Sequence, residues 1–242
     1  MAGVSSVNKF GHTKNADNAD ATDIWDAAAQ FIWLAPTAAR NHSITSSSDD
    51  DGKTGSPASA GARTMRVYGL KTWDSTETSE VVTLTGTDPV ITANDYVCIH
   101  RMKILTCGAS GPNVGLIQAQ AADDNTVTAL ISAAEGQTLM AIYGVPSTQV
   151  AYLTQFYTDI ERDSPVGADA EFKLLWTPDV VNQPTVFMTK HKWAMSVGDP
   201  PYVHPYNPYN GFAGPGILKI QALSDQDDTH INAGFDLILV DN

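Results

Sequence analysis

The sequence predicts an all-β chain: a two-sheet β-sandwich of jelly-roll type with an extended N-terminal arm. Three observations predict it. The chain closes on a period-two run, with Ile231, Ala233, Phe235, Leu237 and Leu239 on one side and Asn232, Gly234 and Asp236 on the other. That alternation marks a half-buried strand. Similar runs recur through most of the chain, separated by clusters of Gly, Pro, Asn and Asp. Regular strand spacing without a helical period implies a sandwich or a barrel.

The elements follow in order. Residues 1–23 are polar and rich in Asn, Asp and Ala. They carry too little apolar surface to order themselves, so an arm that orders against a partner is expected. Next, Trp25, Phe31 and Trp33 crowd into one short span and demand burial. Residues 27–30 could support one helical turn, and the aromatic part could equally be a strand stopped by Pro36. The reading is an anchoring segment that packs on the main domain or on a neighbour. The expected division is therefore 1–40 as arm and anchor and 41–242 as the sandwich domain.

Residues 46–61 read as a loop. Its acidic trio, Asp49, Asp50 and Asp51, lacks the alternating ligands and final Glu of the helix–loop–helix calcium template, so a solvated turn is expected. From Arg63 the alternation begins in earnest. Met65 and Val67, then Val82 and Leu84, mark two strands, and 96–106 is a long strand with mixed faces. Ile117, Ala119 and Ala121 mark the next, followed by Val127, Ala129 and Ile131. Residues 139–143 form a short apolar run stopped by Gly144 and Pro146. Strands are expected over 152–162, at Ala170, Phe172, Leu174 and Trp176, over 185–195, and at Leu218, Ile220 and Ala222. The total is roughly ten strands, ordinary for two packed sheets. Between the late strands, 198–212 combines Pro200, Pro201, Pro205 and Pro208 with Tyr202, Tyr206, Tyr209 and Phe212. Proline limits the entropy lost on docking and tyrosine supplies broad contact area, so this segment reads as a contact loop.

Composition bounds the function. The 242 residues are 43% hydrophobic, enough for a real core. The charged fraction is 17%, against about 25% in average domains. The net charge of −13 repels phosphate backbones, and Lys190, His191 and Lys192 are too small a cluster to offset it, so no nucleic-acid partner is expected. No run of 18 apolar residues spans a membrane. The start lacks the order of a secretory signal, and position two is Ala2, not Gly, so synthesis in a cytoplasm is expected. Cys98 and Cys107 cannot make a disulfide framework and read as two buried thiols.

Catalytic patterns are missing from the sequence. There is no Gly-x-Ser-x-Gly elbow, no His-Glu-x-x-His and no Gly-rich phosphate loop. The histidines (His12, His42, His100, His191, His204 and His230) show no close ligand spacing. Most acidic residues sit in turn-rich stretches, where their side chains cap local backbone. The expectation is a non-enzyme without cofactor, metal or catalytic residue.

A set of segments carries a resemblance. Gly61-Ala62-Arg63-Thr64-Met65-Arg66-Val67-Tyr68-Gly69-Leu70 precedes Ser79-Glu80-Val81-Val82-Thr83-Leu84-Thr85-Gly86-Thr87. Later come Gly136-Gln137-Thr138-Leu139-Met140-Ala141-Ile142-Tyr143-Gly144-Val145-Pro146 and Gly234-Phe235-Asp236-Leu237-Ile238-Leu239-Val240. Together they resemble a family of virion structural proteins of tailed bacteriophages, often from marine or cyanobacterial hosts, over most of the chain after residue 23. The 46–61 loop is longer than the family's usual form. The resemblance implies a virion location, synthesis in the host cytoplasm, and the major capsid protein or other virion proteins as partners. It fits a capsid decoration or cement protein bound to the outer shell as a symmetric oligomer, a trimer by analogy. A neck, tail or fibre-base component is the alternative. A glycan-binding module with Tyr and Trp as stacking platforms is a third reading. Trp25, Phe31, Trp33, Tyr202, Tyr206, Tyr209 and Phe212 are the candidate interface anchors.

Overall fold

A computed structural model describes residues 3–27, 30–31, 38–52 and 60–242. Among them lie sixteen strands and no helix, so the chain is all-β as the sequence predicts. The strands are β1 (Val4–Ala16), β2 (Thr22–Asp23), β3 (His42–Ser46), β4 (Ala62–Leu70), β5 (Thr78–Thr83), β6 (Val90–Ile91), β7 (Cys98–Cys107) and β8 (Ile117–Ala121). They continue with β9 (Val127–Ile131), β10 (Ile142–Val145), β11 (Gln149–Ile160), β12 (Asp169–Thr177), β13 (Met188–Ser196), β14 (Tyr202–Ala213), β15 (Gly216–Ser224) and β16 (Thr229–Asp241). Where the sequence reading expects one sandwich from residue 41, the chain forms two compact units. Unit 1 comprises Met1–Phe31 and Leu139–Asn242, and unit 2 comprises Ile32–Thr138.

Unit 1 contains two antiparallel sheets, ordered β1-β16-β11-β14 and β10-β15-β12-β13, with β2 added alongside β15. Taken in chain order, β1 is the first long strand of the unit and β10 to β16 are the second to eighth. The sheets then run 1-8-3-6 and 2-7-4-5. One core joins them: Leu153, Phe156, Phe235 and Leu237 come from the first sheet, and Phe172, Leu174, Leu218 and Ile220 from the second. Each such side chain, buried fully, stabilises the fold by about 1.5–3 kcal/mol.

Two segments differ from the sequence reading, and both for reasons of pairing. The expected arm contains β1, which pairs with β16 from Val4↔Val240 to Thr13↔Ile231. A stretch too polar to fold alone gains its ladder from the other end of the chain. Its position against neighbouring backbone also fixes Gly11, where a Cβ would collide with the Ile24 carbonyl oxygen and the Ala141 nitrogen. The expected contact loop 198–212 contains β14, which pairs with β11. β14 ends its sheet, so Pro205 and Pro208 sit on an edge strand, where a missing N–H is tolerated.

Unit 2 holds the sheets β6-β3-β8-β9 and β5-β4-β7. Its core includes Ile44, Met65, Val67, Leu84, Tyr96, Ile99, Met102, Ile117 and Ile131. The acidic trio is divided here. Asp49 is exposed and accepts hydrogen bonds from the Thr87 amide and hydroxyl, whereas Asp51 is fully buried. Of the two cysteines, Cys98 is buried and Cys107, at the far end of β7, is exposed; the expectation of two buried thiols is corrected for Cys107.

His42 on β3 lies edge-on to Tyr96, with ring centroids 6.2 Å apart. Neither ring nitrogen makes a well-formed hydrogen bond among the described residues. Burial drives the imidazole pKa down to about 4, opposed in part by the Arg40 backbone and by the charges of Asp124 and Asp95. Between about pH 6.5 and 4 the unfolded chain therefore takes up a proton that the folded chain refuses. Stability contributed by neutral His42 is complete above that window and falls as the pH drops through it, by about 3 kcal/mol in all. Urea titrations across this range should show that loss, and His42→Phe should flatten it. An unchanged slope in the variant would assign the acid sensitivity to other groups.

Candidate functional site: an aromatic ledge at the edge of unit 1

β13 and β14 each end one sheet of unit 1. Period-two alternation on β14 sets Tyr202, His204 and Tyr206 on one face, all half-buried, with Val203 and Pro205 exposed on the other. On β13 the half-buried residues are His191 and Trp193. The register places Phe156 of β11 opposite His204, and Phe172 of β12 opposite Trp193. Rings from both sheets therefore meet at this edge.

Phe156 lies at the centre. Its ring centroid is 4.4 Å from Trp193, 5.2 Å from His204 in a stacked arrangement, and 5.1 Å from His191. Trp193 stacks on Phe172 at 5.4 Å and 7°, and on Tyr202 at 5.8 Å and 21°. His191 and His204 approach to 4.4 Å, and Tyr206 stands edge-on to His204 at 4.8 Å. Polar contacts fix the rings. The Trp193 indole N–H donates to Thr158 Oγ1 at 3.0 Å, and the Thr158 hydroxyl donates to Met195 Sδ at 3.1 Å. Burial, and then the neighbouring His204, lowers the His191 pKa, which favours a neutral imidazole. Burial raises the Tyr206 phenol, whose hydroxyl has no hydrogen-bond partner among the described residues.

Beside the ledge the β11–β14 ladder slips. Leu153 pairs with Asn210 and Gln155 with Pro205, so 206–209 bulge opposite Thr154. The bulge carries Tyr209, 55% exposed. Exposed Met188 on β13 adds apolar surface, and exposed Val203 lies on the opposite face of β14. Aromatic faces with phenol and imidazole tips are suited to contact and stacking.

The candidate anchors thus divide. Tyr202 and Tyr206 belong to the ledge and Tyr209 to its bulge. Phe212 is buried against Trp176, with centroids 5.1 Å apart. Trp25 and Phe31 are buried in unit 1 and meet edge-on at 5.3 Å. Trp33 lies outside the described residues. Sequence reasoning missed His191, Trp193 and His204 as ledge members; Phe156 and Phe172, on which their rings pack, are buried in the core. His204, two residues from both Tyr202 and Tyr206, carried a signal, had the segment been read as a strand.

No protein-family model matches the chain, and no curated protein matches its sequence. Among solved structures it is similar to a chain of the infectious bursal disease virus Gx strain, with 9% identity and a TM-score of 0.24, covering 98% of this chain and 70% of that one. It is also similar to a chain of T=1 particles derived from the same virus (11% identity, TM-score 0.21, 98% and 69% covered). The VP2 subviral particle of that virus gives 9% identity and a TM-score of 0.18, with 100% and 73% covered. Scores this low establish no common fold.

Proposed function

We propose that the protein is a non-catalytic structural component of a virus particle, built on a jelly roll. The strand order of unit 1 carries the reading. Sheets ordered 1-8-3-6 and 2-7-4-5 around one core are the pattern of two interlocked Greek keys. That architecture serves viral capsid domains, lectins and cupins, so the step to function is an analogy of fold. The segment resemblance narrows it to a tailed-phage virion protein that decorates or cements the outer capsid. In this role it binds the major capsid protein or other virion proteins as a symmetric oligomer, a trimer by analogy. The aromatic ledge, with exposed Met188 on β13 and Tyr209 on the bulge of β14, supplies a contact surface of the kind interfaces use.

Quantitative mass spectrometry of gradient-purified particles tests this. A ratio near one copy, or a simple fraction, per copy of major capsid protein is expected. A handful of copies per particle would move the protein to the neck, tail or fibre base. Absence from the particle would overturn the virion reading. The same ledge favours a second reading as a glycan-binding module, since half-buried Trp193 and Tyr202 and exposed Tyr209 present aromatic surface. Glycan-array signal lost in Trp193→Ala would support that reading, and an empty array would end it.

A further inference from the structure

We propose that Glu161, Asp163 and His230 form a divalent metal site of the zinc class where β11 and β16 run out. One ligand atom from each lies within 4.8 Å of the others. His230 Nδ1 is 3.2 Å from Asp163 Oδ2 and 3.7 Å from Glu161 Oε2. Zinc bonds to nitrogen and oxygen of 2.0–2.2 Å, set tetrahedrally, place neighbouring ligand atoms about 3.3–3.6 Å apart. The two spacings from His230 bracket that edge length, and the two carboxylates lie within 4.8 Å of each other.

His230 Nδ1 adds an independent observation. The atom is buried and makes no hydrogen bond among the described residues, although two carboxylate oxygens lie near it. An imidazole nitrogen so placed, beside two carboxylate oxygens, has the make-up of a metal ligand set. A cation bound between them would satisfy all three groups.

The ligands are also held in place. The Glu161 N–H donates to the His230 carbonyl at 3.0 Å, and the Ser164 N–H donates to the Glu161 carbonyl at 3.1 Å. Ser164 Oγ accepts from the His230 N–H at 3.0 Å and donates to the His230 carbonyl at 3.2 Å. This pins the 161–164 turn to β16, facing the imidazole. Asn232 Nδ2 donates to Glu161 Oε1 at 2.7 Å, and His12 Nε2 lies 3.4 Å from the same oxygen. His12 Nδ1 in turn lies 3.4 Å from Asp26 Oδ1, on a carboxylate only 4% exposed. Oε1 is thereby occupied and Oε2 remains toward His230. His12, Asn232 and Asp26 are positioning residues. One imidazole with two carboxylates suits zinc or a neighbouring transition ion better than calcium, which takes six to eight oxygens. Three protein ligands leave a fourth position for water or a partner's side chain.

Calorimetric titration of the chelator-stripped full chain with Zn²⁺ tests the site. One ion per chain is expected. His230→Gln and Asp163→Asn should each weaken binding by about ten-fold or more, and His191→Gln should leave it unchanged. Asp163 is exposed, so its variant keeps the fold intact. Zn²⁺ should raise the unfolding midpoint of the wild type more than that of Asp163→Asn at the same concentration. The proposal is overturned by the absence of saturable binding, which would mean an ordinary ion pair. Binding that survives both ligand variants, as zinc held by His191 and His204 would, overturns it equally. Calcium binding of equal strength would refute the zinc class.

Discussion

Asp51→Ala is expected to remove about 3–5 kcal/mol from the stability of unit 2. The carboxylate is fully buried, and both oxygens are used twice. Oδ1 accepts from the Ala62 and Val114 amides, each at 2.8 Å. Oδ2 accepts from Ser46 Oγ and the Gly115 amide, each at 2.7 Å. One side chain thus ties the end of β3, the start of β4 and the approach to β8. Truncation strands the buried Ala62 and Gly115 amides, the part-buried Val114 amide and a buried hydroxyl, and each buried donor without a partner costs about 1–3 kcal/mol. Gly61 makes room for this carboxylate, since a Cβ there would collide with Asp51 Oδ1. Asp51→Asn should lose most of the same stability, because its amide group turns donors against donors. Urea denaturation reads both variants. A loss under about 1 kcal/mol for Asp51→Ala would remove the carboxylate from this role.

Asp23→Ala is expected to destabilise unit 1 by about 3–5 kcal/mol, the effect of removing one partner from a buried ion pair. Asp23 Oδ2 accepts from Lys219 Nζ at 2.7 Å and from the Phe31 amide at 2.6 Å. Oδ1 accepts from Gln221 Nε2 at 3.1 Å. Burial pushes the Asp23 carboxyl up even against the Lys219 ammonium, so desolvation consumes much of what the pair gains. The pair is then costly to break and cheap to replace. Asp23→Leu with Lys219→Met should return to within about 1 kcal/mol of wild type. A double variant as unstable as Asp23→Ala would show that the charges themselves hold the segment.

The two carboxylates also show what a sequence conceals. Asp51 ends a run of three acids and reads as solvent-facing, because nothing local distinguishes it from Asp49 and Asp50. Its partners at 62, 114 and 115 are distant in sequence, and their unpaired amides exist only once the strands have packed. Asp23 reads as the end of a polar arm because Lys219 lies 196 residues away. The same holds for the aromatic ledge. Tyr202 and Tyr206 are legible as contact residues, while Phe156, Phe172 and Trp193 read as ordinary strand interior until two sheet edges meet. The six histidines show no ligand spacing, yet an antiparallel ladder brings His230 beside Glu161 and Asp163.

The alternation of apolar and polar residues by itself determined the all-β class and the positions of strands such as β4, β8, β12, β15 and β16. A strand's inward and outward faces are written locally, at a period of two. Strand pairing is not local. Which edge receives β1, how β14 becomes a strand despite its prolines, where one core gives way to a second, and which charges are buried together were decided by the tertiary structure. Hydrogen-bond ladders and desolvated partners are supplied by residues that the local pattern cannot name.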